Sequence, residues 1–331
     1  TNSDIVLLVY QGAPNYTPFL PDGSGRVARY AYAGEGHNRS PETDLHPGNY
    51  QHSNSHAINA QGYIDVNIIK GLVWQVKGGL NYNGDTYKSH QQVVSQYAFI
   101  KPPGADDFPY VDDGGKSGGV TDRYSQNLLP SLYSTLTYDK TFGKYHTLKV
   151  LGGYEQQSFK TQFLQGSRLS FPTATLAEIN AGSPVGQSLS GTSTEWALRS
   201  YFGRVNYDFM GKYLLEANIR YDGSSRIAEE NRWGAFPSVS AGWRISKENF
   251  IQNNVSWIDD LKLRASLGTL GNQEIGLYPY QDILNLTEYP YGSTLQPSTI
   301  ITRLTDKNIK WESTRVLNFG VDLDIYKGLF G

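Results

Sequence analysis

Tyr201-Phe202-Gly203-Arg204-Val205-Asn206-Tyr207-Asp208, followed after Phe209-Met210-Gly211-Lys212 by Tyr213-Leu214-Leu215-Glu216-Ala217-Asn218-Ile219-Arg220-Tyr221-Asp222, is the stretch on which the fold turns. Tyr201, Gly203, Val205 and Tyr207 fall on one side of an extended chain and Phe202, Arg204, Asn206 and Asp208 on the other, a period of two. The return strand repeats the split, with Tyr213, Leu215, Ala217, Ile219 and Tyr221 against Glu216, Asn218, Arg220 and Asp222. A tight turn between two such runs predicts a hairpin. Val239, Ala241, Trp243 and Ile245 against Ser238, Ser240, Gly242 and Arg244 predict a third strand. Leu261, Leu263, Ala265 and Leu267 against Lys262, Arg264, Ser266 and Gly268 predict a fourth.

The same unit recurs on both sides. Upstream, Ile58–Ile68 and Leu72–Tyr82 alternate around Ile69-Lys70-Gly71, and Leu132–Tyr138 pairs with Leu148–Tyr154 across Asp139–Tyr145. Downstream, Leu317, Phe319, Val321, Leu323 and Ile325 face away from Asn318, Gly320, Asp322 and Asp324, ahead of a turn at Tyr326-Lys327-Gly328. Asp4–Tyr10 is a further short apolar run with strand character. Connections alternate in length. Short ones lie near Lys70, Lys140, Met210, Ser246–Asp259 and Lys327, and long ones near Asp106, Ala177, Ser225 and Tyr289. In an antiparallel meander alternate connections emerge at opposite ends, so one end is trimmed and the other elaborate, as in outer-membrane barrels.

Composition agrees with many short strands and turns: the 331 residues include 24 Tyr and 35 Gly, one Met and no Cys. Without cysteine there is no disulfide framework, thiolate metal site or cysteine nucleophile. A net charge of -2 supplies no overall basic field of the kind that nucleic acid or anionic lipid would require. No apolar run reaches the ~18 residues of a membrane helix, whereas barrel strands of about 10 alternating residues need none. Small residues on the apolar face (Gly62, Gly78, Gly152, Gly203, Ala241) suit lipid contact better than a packed sandwich core, and Tyr138, Tyr207, Tyr213 and Trp311 near strand ends suit an aromatic girdle.

The pattern therefore predicts an all-β fold, an antiparallel transmembrane β-barrel, with long loops over about 84–126, 160–195, 222–235 and 273–308. A soluble all-β sandwich alternates in the same way and is the competing reading. Catalytic signatures are lacking: there is no Gly-x-Ser-x-Gly elbow, His-Glu-x-x-His or phosphate-binding glycine loop. His37, His46, His52 and His56 gather in one segment, but the Asn, Ser and Gly around them disfavour the helix that would let His52 and His56 chelate, so no metal or cofactor is expected. The pairs Asp106-Asp107 and Asp112-Asp113 lack the spacing of a calcium loop. Asp222-Gly223-Ser224-Ser225 reads as a rim turn whose Asp and Ser bond local backbone.

Gly203-Arg204-Val205-Asn206-Tyr207, Arg220-Tyr221-Asp222-Gly223-Ser224-Ser225-Arg226, Phe236-Pro237-Ser238, Gly242-Trp243-Arg244-Ile245-Ser246, Leu261-Lys262-Leu263-Arg264-Ala265-Ser266, Gly271-Asn272-Gln273 and Lys310-Trp311-Glu312-Ser313-Thr314 together carry a resemblance. In them the sequence resembles the SusC-like (RagA-like) TonB-dependent outer-membrane transporters of Bacteroidetes. The resemblance is dense over about Tyr201–Lys327 and sparser from about His56.

It implies part of a barrel of about 22 strands with a plugged lumen, of which this chain supplies about nine or ten, without the plug or C-terminal strand. It further implies import of oligosaccharides or peptides, energised by TonB-ExbB-ExbD through an N-terminal part, and pairing with a SusD-like lipoprotein in a homodimer of such pairs. Arg204, Glu216, Arg220, Arg244 and Arg264 are then expected to face lumen and plug. Tyr278, Tyr280, Tyr289 and Tyr291 in the last loop are candidates for stacking on substrate. A secreted carbohydrate-binding or adhesin domain and a passive porin are the alternatives.

Overall fold

Alternation of side chains at Tyr201–Asn272 becomes, in the computed structural model, a run of long antiparallel strands. The structure describes residues 17–29, 42–112, 118–171 and 175–325. The expected strand at Asp4–Tyr10, His37, Asp113 and the turn at Tyr326–Gly328 lie outside the described residues. In chain order the strands are β1 (Val27–Arg29), β2 (Tyr50–Ile69), β3 (Leu72–Gln91), β4 (Gln96–Ala98), β5 (Tyr110–Asp112), β6 (Gly119–Phe142) and β7 (His146–Leu169). They continue with β8 (Ser183–Phe209), β9 (Tyr213–Ser224), β10 (Trp233–Arg244), β11 (Ile258–Asn272), β12 (Leu284–Tyr291), β13 (Thr294–Ile301) and β14 (Glu312–Ile325).

Nine of these form one sheet in the order β14-β11-β10-β9-β8-β7-β6-β3-β2. The order is a meander interrupted only where short or separate strands intervene. By contacts the chain divides into two units, one of Thr1–Ala57, Asn83–Gln126 and Gln162–Ser193, the other of Ile58–Tyr82, Asn127–Thr161 and Thr194–Gly331.

In the second unit the expected pairing holds residue by residue. Tyr207 lies opposite Leu215 and Val205 opposite Ala217. Val239 lies opposite Ala217 and Leu267, and Phe319 opposite Ala265. The greasy residues of all five strands thus share one face, because a register slip of one would turn every side chain over. That face is uncovered: Leu215, Ile219 and Val239 are each just over half exposed and Phe319 is 78% exposed. A sandwich would have buried them under a second sheet. In water a patch of this extent is a liability, but against lipid it is the required surface.

Aromatic rings close both ends of the apolar face. At one end His146 stacks on Tyr207 and packs at 4.8 Å from Phe209, Phe209 lies 6.2 Å from Tyr213, and Tyr213 lies 6.5 Å from Trp243. At the other, Tyr201 contacts Tyr154 at 5.4 Å and Trp233 at 6.0 Å, and Trp233 stacks on Tyr221 at 4.9 Å. Between Trp233 and Trp243 the strand rises ten residues, roughly 33 Å, or about 25 Å along the normal of a barrel whose strands tilt about 40°. This equals the apolar band height of outer-membrane barrels. Tyr207 and Tyr213 take the expected girdle positions. Trp311 does not: its ring packs edge-on against Phe236 on the polar face and its Nε1 donates to Arg232 O at 2.8 Å.

Short turns gather at the Trp243 end and bond one another, through Asp139 N to Gly71 O, Met210 N to Tyr145 O and Arg244 N to Lys212 O, at 2.7–2.8 Å. In Phe209–Lys212 both central residues have positive φ, +59° at Met210 and +64° at Gly211, as a two-residue hairpin loop demands. The remaining short connection uses two helical turns, Ile245–Lys247 and Asn249–Gln252. Between them Glu248 accepts from Tyr213 Oη at 2.7 Å, Lys212 Nζ at 3.0 Å and Trp243 Nε1 at 3.2 Å.

The first unit buries Leu20, Val27, Ala28, Val94 and Val120 around the small sheet β1-β4-β5. Arg26 holds it to a loop, donating to Asp107 at 2.6–2.8 Å and to Asp22 at 2.7 Å, with its guanidinium over the Tyr97 ring. Ser24 and then Arg26 hold the Asp22 carboxyl down at about 2, and Arg26 does the same for Asp107. His52 and His56 lie on β2, four residues or roughly 13 Å apart along a strand, a spacing no single ion bridges.

Candidate functional site: the polar wall and the rim loop

The face opposite the apolar one carries the charged residues singled out by sequence, and the cross-strand register sets their partners. Arg204 Nε donates to Asn218 Oδ1 at 2.7 Å. Glu216 accepts from the Asn206 and Asn218 amides at 2.5 and 2.7 Å. Arg244 lies 3.6 Å from Asp260, which also accepts from Ser246 Oγ. Arg264 pairs with Asp322 at 3.2 Å, shared with Lys262 at 3.5 Å, and lies over Gly320, where a Cβ would sit 2.5 Å from its Nε. Along this wall runs a recess of about 820 Å³, lined by Asn206, Glu216, Asn218, Ser240, Lys262 and Arg264 among others.

Arg220 is the most engaged of the set. It donates to Glu155 at 2.7 Å and Ser200 Oγ at 2.8 Å, and its Nε reaches Asp222 at 2.8–3.0 Å. Its guanidinium lies over Phe202, which stacks on Tyr133 at 5.3 Å. The expected rim turn at Asp222–Ser225 forms only from Ser225 on, since β9 runs through Ser224. Ser224 Oγ accepts from Arg226 N, the local bond expected, whereas Ser225 Oγ accepts from Ala197 N on β8 and Asp222 turns to Arg220. The reason is electrostatic: a carboxylate two residues along a strand from a guanidinium shares its face.

The four tyrosines divide into two pairs. Tyr278 and Tyr280 meet edge to face and are spent on structure, with Tyr278 Oη donating to Glu195 O at 2.5 Å and Tyr280 Oη to Ser225 O at 3.3 Å. Two arginines finish the clamp: Arg226 donates to Ile275 O at 2.8 Å with its guanidinium over Trp196, and Arg303 donates to Tyr278 O at 2.8 Å. Tyr289 and Tyr291 sit instead on the hairpin β12–β13, which the sequence reading had as loop. They share one side of β12, about 7 Å apart, opposite Gln296 and Thr294, and are 60% and 76% exposed. Of the proposed stacking residues, only these two present free rings.

Sequence reasoning missed Glu155, Phe202, Arg226, Arg303 and Glu248. Parity pointed to the first two. The arginines and Glu248 act between distant segments and left no periodic signal. It also missed a recess of about 720 Å³ in the first unit, lined by Tyr50, His52, Tyr87, Arg123 and Tyr124. There Lys88 joins Asp122 at 3.1 Å and Ala177 O at 2.9 Å.

Comparison with known proteins bears on both faces. The family model described as TonB dependent receptor-like, beta-barrel matches residues 3–331. TonB-dependent receptor SusC of Bacteroides thetaiotaomicron is 35% identical over 219 residues, 65% of this chain and 21% of the relative. TonB-dependent receptor P39 of Formosa agariphila is 30% identical over 268 residues, 80% of this chain and 24% of the relative. The chain thus spans under a quarter of the length of these curated relatives. The RagAB peptide importer in its closed-closed state superposes with a TM-score of 0.76 at 26% identity, over 94% of this chain and 32% of that one. With an antiparallel sheet greasy on one face, polar on the other and belted by aromatics at both ends, the chain belongs to the TonB-dependent receptor β-barrel family of the outer membrane.

Proposed function

We propose that this chain is wall and outer rim of an energy-coupled importer that takes oligosaccharides or peptides across the outer membrane. Residues 1–331 contribute one stretch of barrel, with the long connections outside and the short turns in the periplasm. The observation that supports this reading best is the pairing of a lipid-matched outer face with a densely hydrogen-bonded polar wall. Such a wall suits a lumen that must be wet and filled by polar groups. Arg204, Glu216, Arg220, Arg244 and Arg264 line that lumen and face a plug. Since Arg220 is held by two carboxylates, its task is to stiffen the wall, and Arg264, whose side chain is 61% exposed, is the better placed to meet plug or cargo.

Tyr289 and Tyr291 contact the substrate, and a SusD-like lipoprotein closes over the same rim in a homodimer of pairs. TonB-ExbB-ExbD supplies the energy. The relatives' names support the energy coupling and the cargo class: one is the TonB-dependent receptor SusC, and a structural neighbour is the RagAB peptide importer.

A deletion strain grown on single glycans and on single peptides tests the reading. Growth should fail on one class of nutrient only, and a protonophore should abolish its uptake by the parent strain. Unchanged uptake of every candidate refutes import, and uptake that survives the protonophore indicates a passive pore.

A further inference from the structure

We propose that the outward face of this barrel wall, at the outer edge of the Trp233 girdle, binds the phosphate of an outer-leaflet lipid. The proposal rests on the membrane reading of the apolar face. A recess of about 210 Å³ opens there, lined by Gln156, Ala197, Arg199, Gly223, Ser225, Arg232 and Trp233 together with Leu198. Register fixes its side of the sheet. Arg199 is opposite Gly223, and Gly223 is opposite Trp233, so the three form one cross-strand row. Arg199 shares parity with Tyr201 and Val205 on β8, the lipid-facing side.

Depth follows from the same count. Arg199 stands two residues past Tyr201, about 7 Å along the strand and roughly 5 Å along the membrane normal, in the row of Trp233 at the outer edge of the girdle. Girdle rings sit at the headgroup level, so the side chains of this outermost row meet phosphates.

The recess is built of donors. Arg199 and Arg232 bring two guanidiniums, and Arg232 spends only its Nε, on Ile227 O at 3.5 Å. Gln156 accepts from Tyr154 Oη through its carbonyl oxygen at 2.5 Å, which leaves its NH2 to donate. Ser225 Oγ accepts from Ala197 N at 2.8 Å, which leaves its O–H to donate. Among the described residues no carboxylate lines the recess. Gly223 lets the Trp233 ring lie across it as a wall of the recess, 2.9 Å from where a Cβ would be. Planar guanidiniums converging with neutral donors are the arrangement that holds a phosphate oxygen set.

The apolar surface that runs on directly below the recess, through Gly203, Val205, Ile219 and Val239, decides between a lipid and a free anion. It offers acyl chains a seat that inorganic phosphate would not use.

Native mass spectrometry of the complete protein in detergent, titrated with diphosphoryl lipid A and with the same lipid enzymatically dephosphorylated, tests this. The phosphorylated lipid should be retained and the dephosphorylated one should not. The double variant R199Q/R232Q should lower retention on the order of thirtyfold, the effect of two basic groups near an anionic surface. R199K/R232K, which keeps the charge, should restore most of it and guards against a folding artefact. Equal retention of both lipids, or undiminished retention by R199Q/R232Q, overturns the proposal. Displacement of the lipid by an equal concentration of inorganic phosphate also overturns it, in favour of a free-anion site.

Discussion

Removing the Arg220 side chain is the most incisive perturbation of the wall. Its donors serve Glu155, Asp222 and Ser200, and the Asp222 side chain is only 10% exposed. With Arg220→Ala, Asp222 and Glu155 both lose the guanidinium they share. Charge-assisted bonds contribute about 1.5–3 kcal/mol each when desolvated, but Arg220 is 37% and Glu155 27% exposed, which discounts that pair to about 1 kcal/mol. Adding the Asp222 bond nearly in full gives a loss of about 3 kcal/mol, or a factor of roughly 150 in the folding equilibrium. Removing the stranded charges as well, in R220A/E155Q/D222N, should recover about 2 kcal/mol, because what is costly is the unpaired carboxylate rather than the lost bond. Urea unfolding of the complete protein in lipid vesicles, followed by tryptophan fluorescence, measures both. A single variant within about 0.5 kcal/mol of the parent, or a triple variant no better than the single one, refutes the reasoning.

Other outcomes follow from the same structure. Donors from Tyr213, then Lys212, then Trp243 hold the Glu248 carboxyl below the ordinary glutamate value of 4.5. Its contribution to stability is present above that value and is lost as pH falls through the lowered one, so Glu248→Gln should flatten the acid limb of the stability profile; an unchanged limb would count against it. Met210, at φ +59°, occupies a left-handed position, so Met210→Asn should raise stability by about 0.5–1 kcal/mol in equilibrium unfolding, and a loss of stability would reject the assigned turn. Tyr289→Ala with Tyr291→Ala should weaken substrate binding about tenfold in titration calorimetry while leaving the loop base as protease-resistant as before. Tyr278→Ala should do the reverse, and identical effects from the double and the single variant would mean that the division between clamp and free rings is false.

How far these features could be read from sequence depended on what surrounds each face. Over Tyr201–Leu267 one side meets lipid and the other water, and the resulting period of two located strands, register and the lipid side together. Where both faces are wet the period disappears. Ser183-Pro184-Val185-Gly186-Gln187-Ser188-Leu189-Ser190 is strand in the structure but has no greasy side, so the sequence reading ended strands early and counted 160–195 as loop. The β12–β13 hairpin was hidden likewise, with every residue but Ser298 exposed. Trp311 failed for a different reason: it precedes β14 instead of lying on it, so its parity told nothing about its face. Arg226 and Arg303 close contacts across 49 and 25 residues of chain, and no local pattern encodes such partners.

The two aromatic belts also have a bearing on the membrane itself. A single helix that is too long for its bilayer can lean over, but rings mounted on several hydrogen-bonded strands cannot change their separation one at a time. The wall therefore imposes its ~25 Å on the surrounding lipid, and hydrophobic mismatch must be absorbed by the bilayer, thinning or thickening around the protein at a fraction of a kcal/mol per Å. Acyl-chain length then becomes a variable that this protein senses through a rigid ruler, and the lipids it gathers are those that already fit.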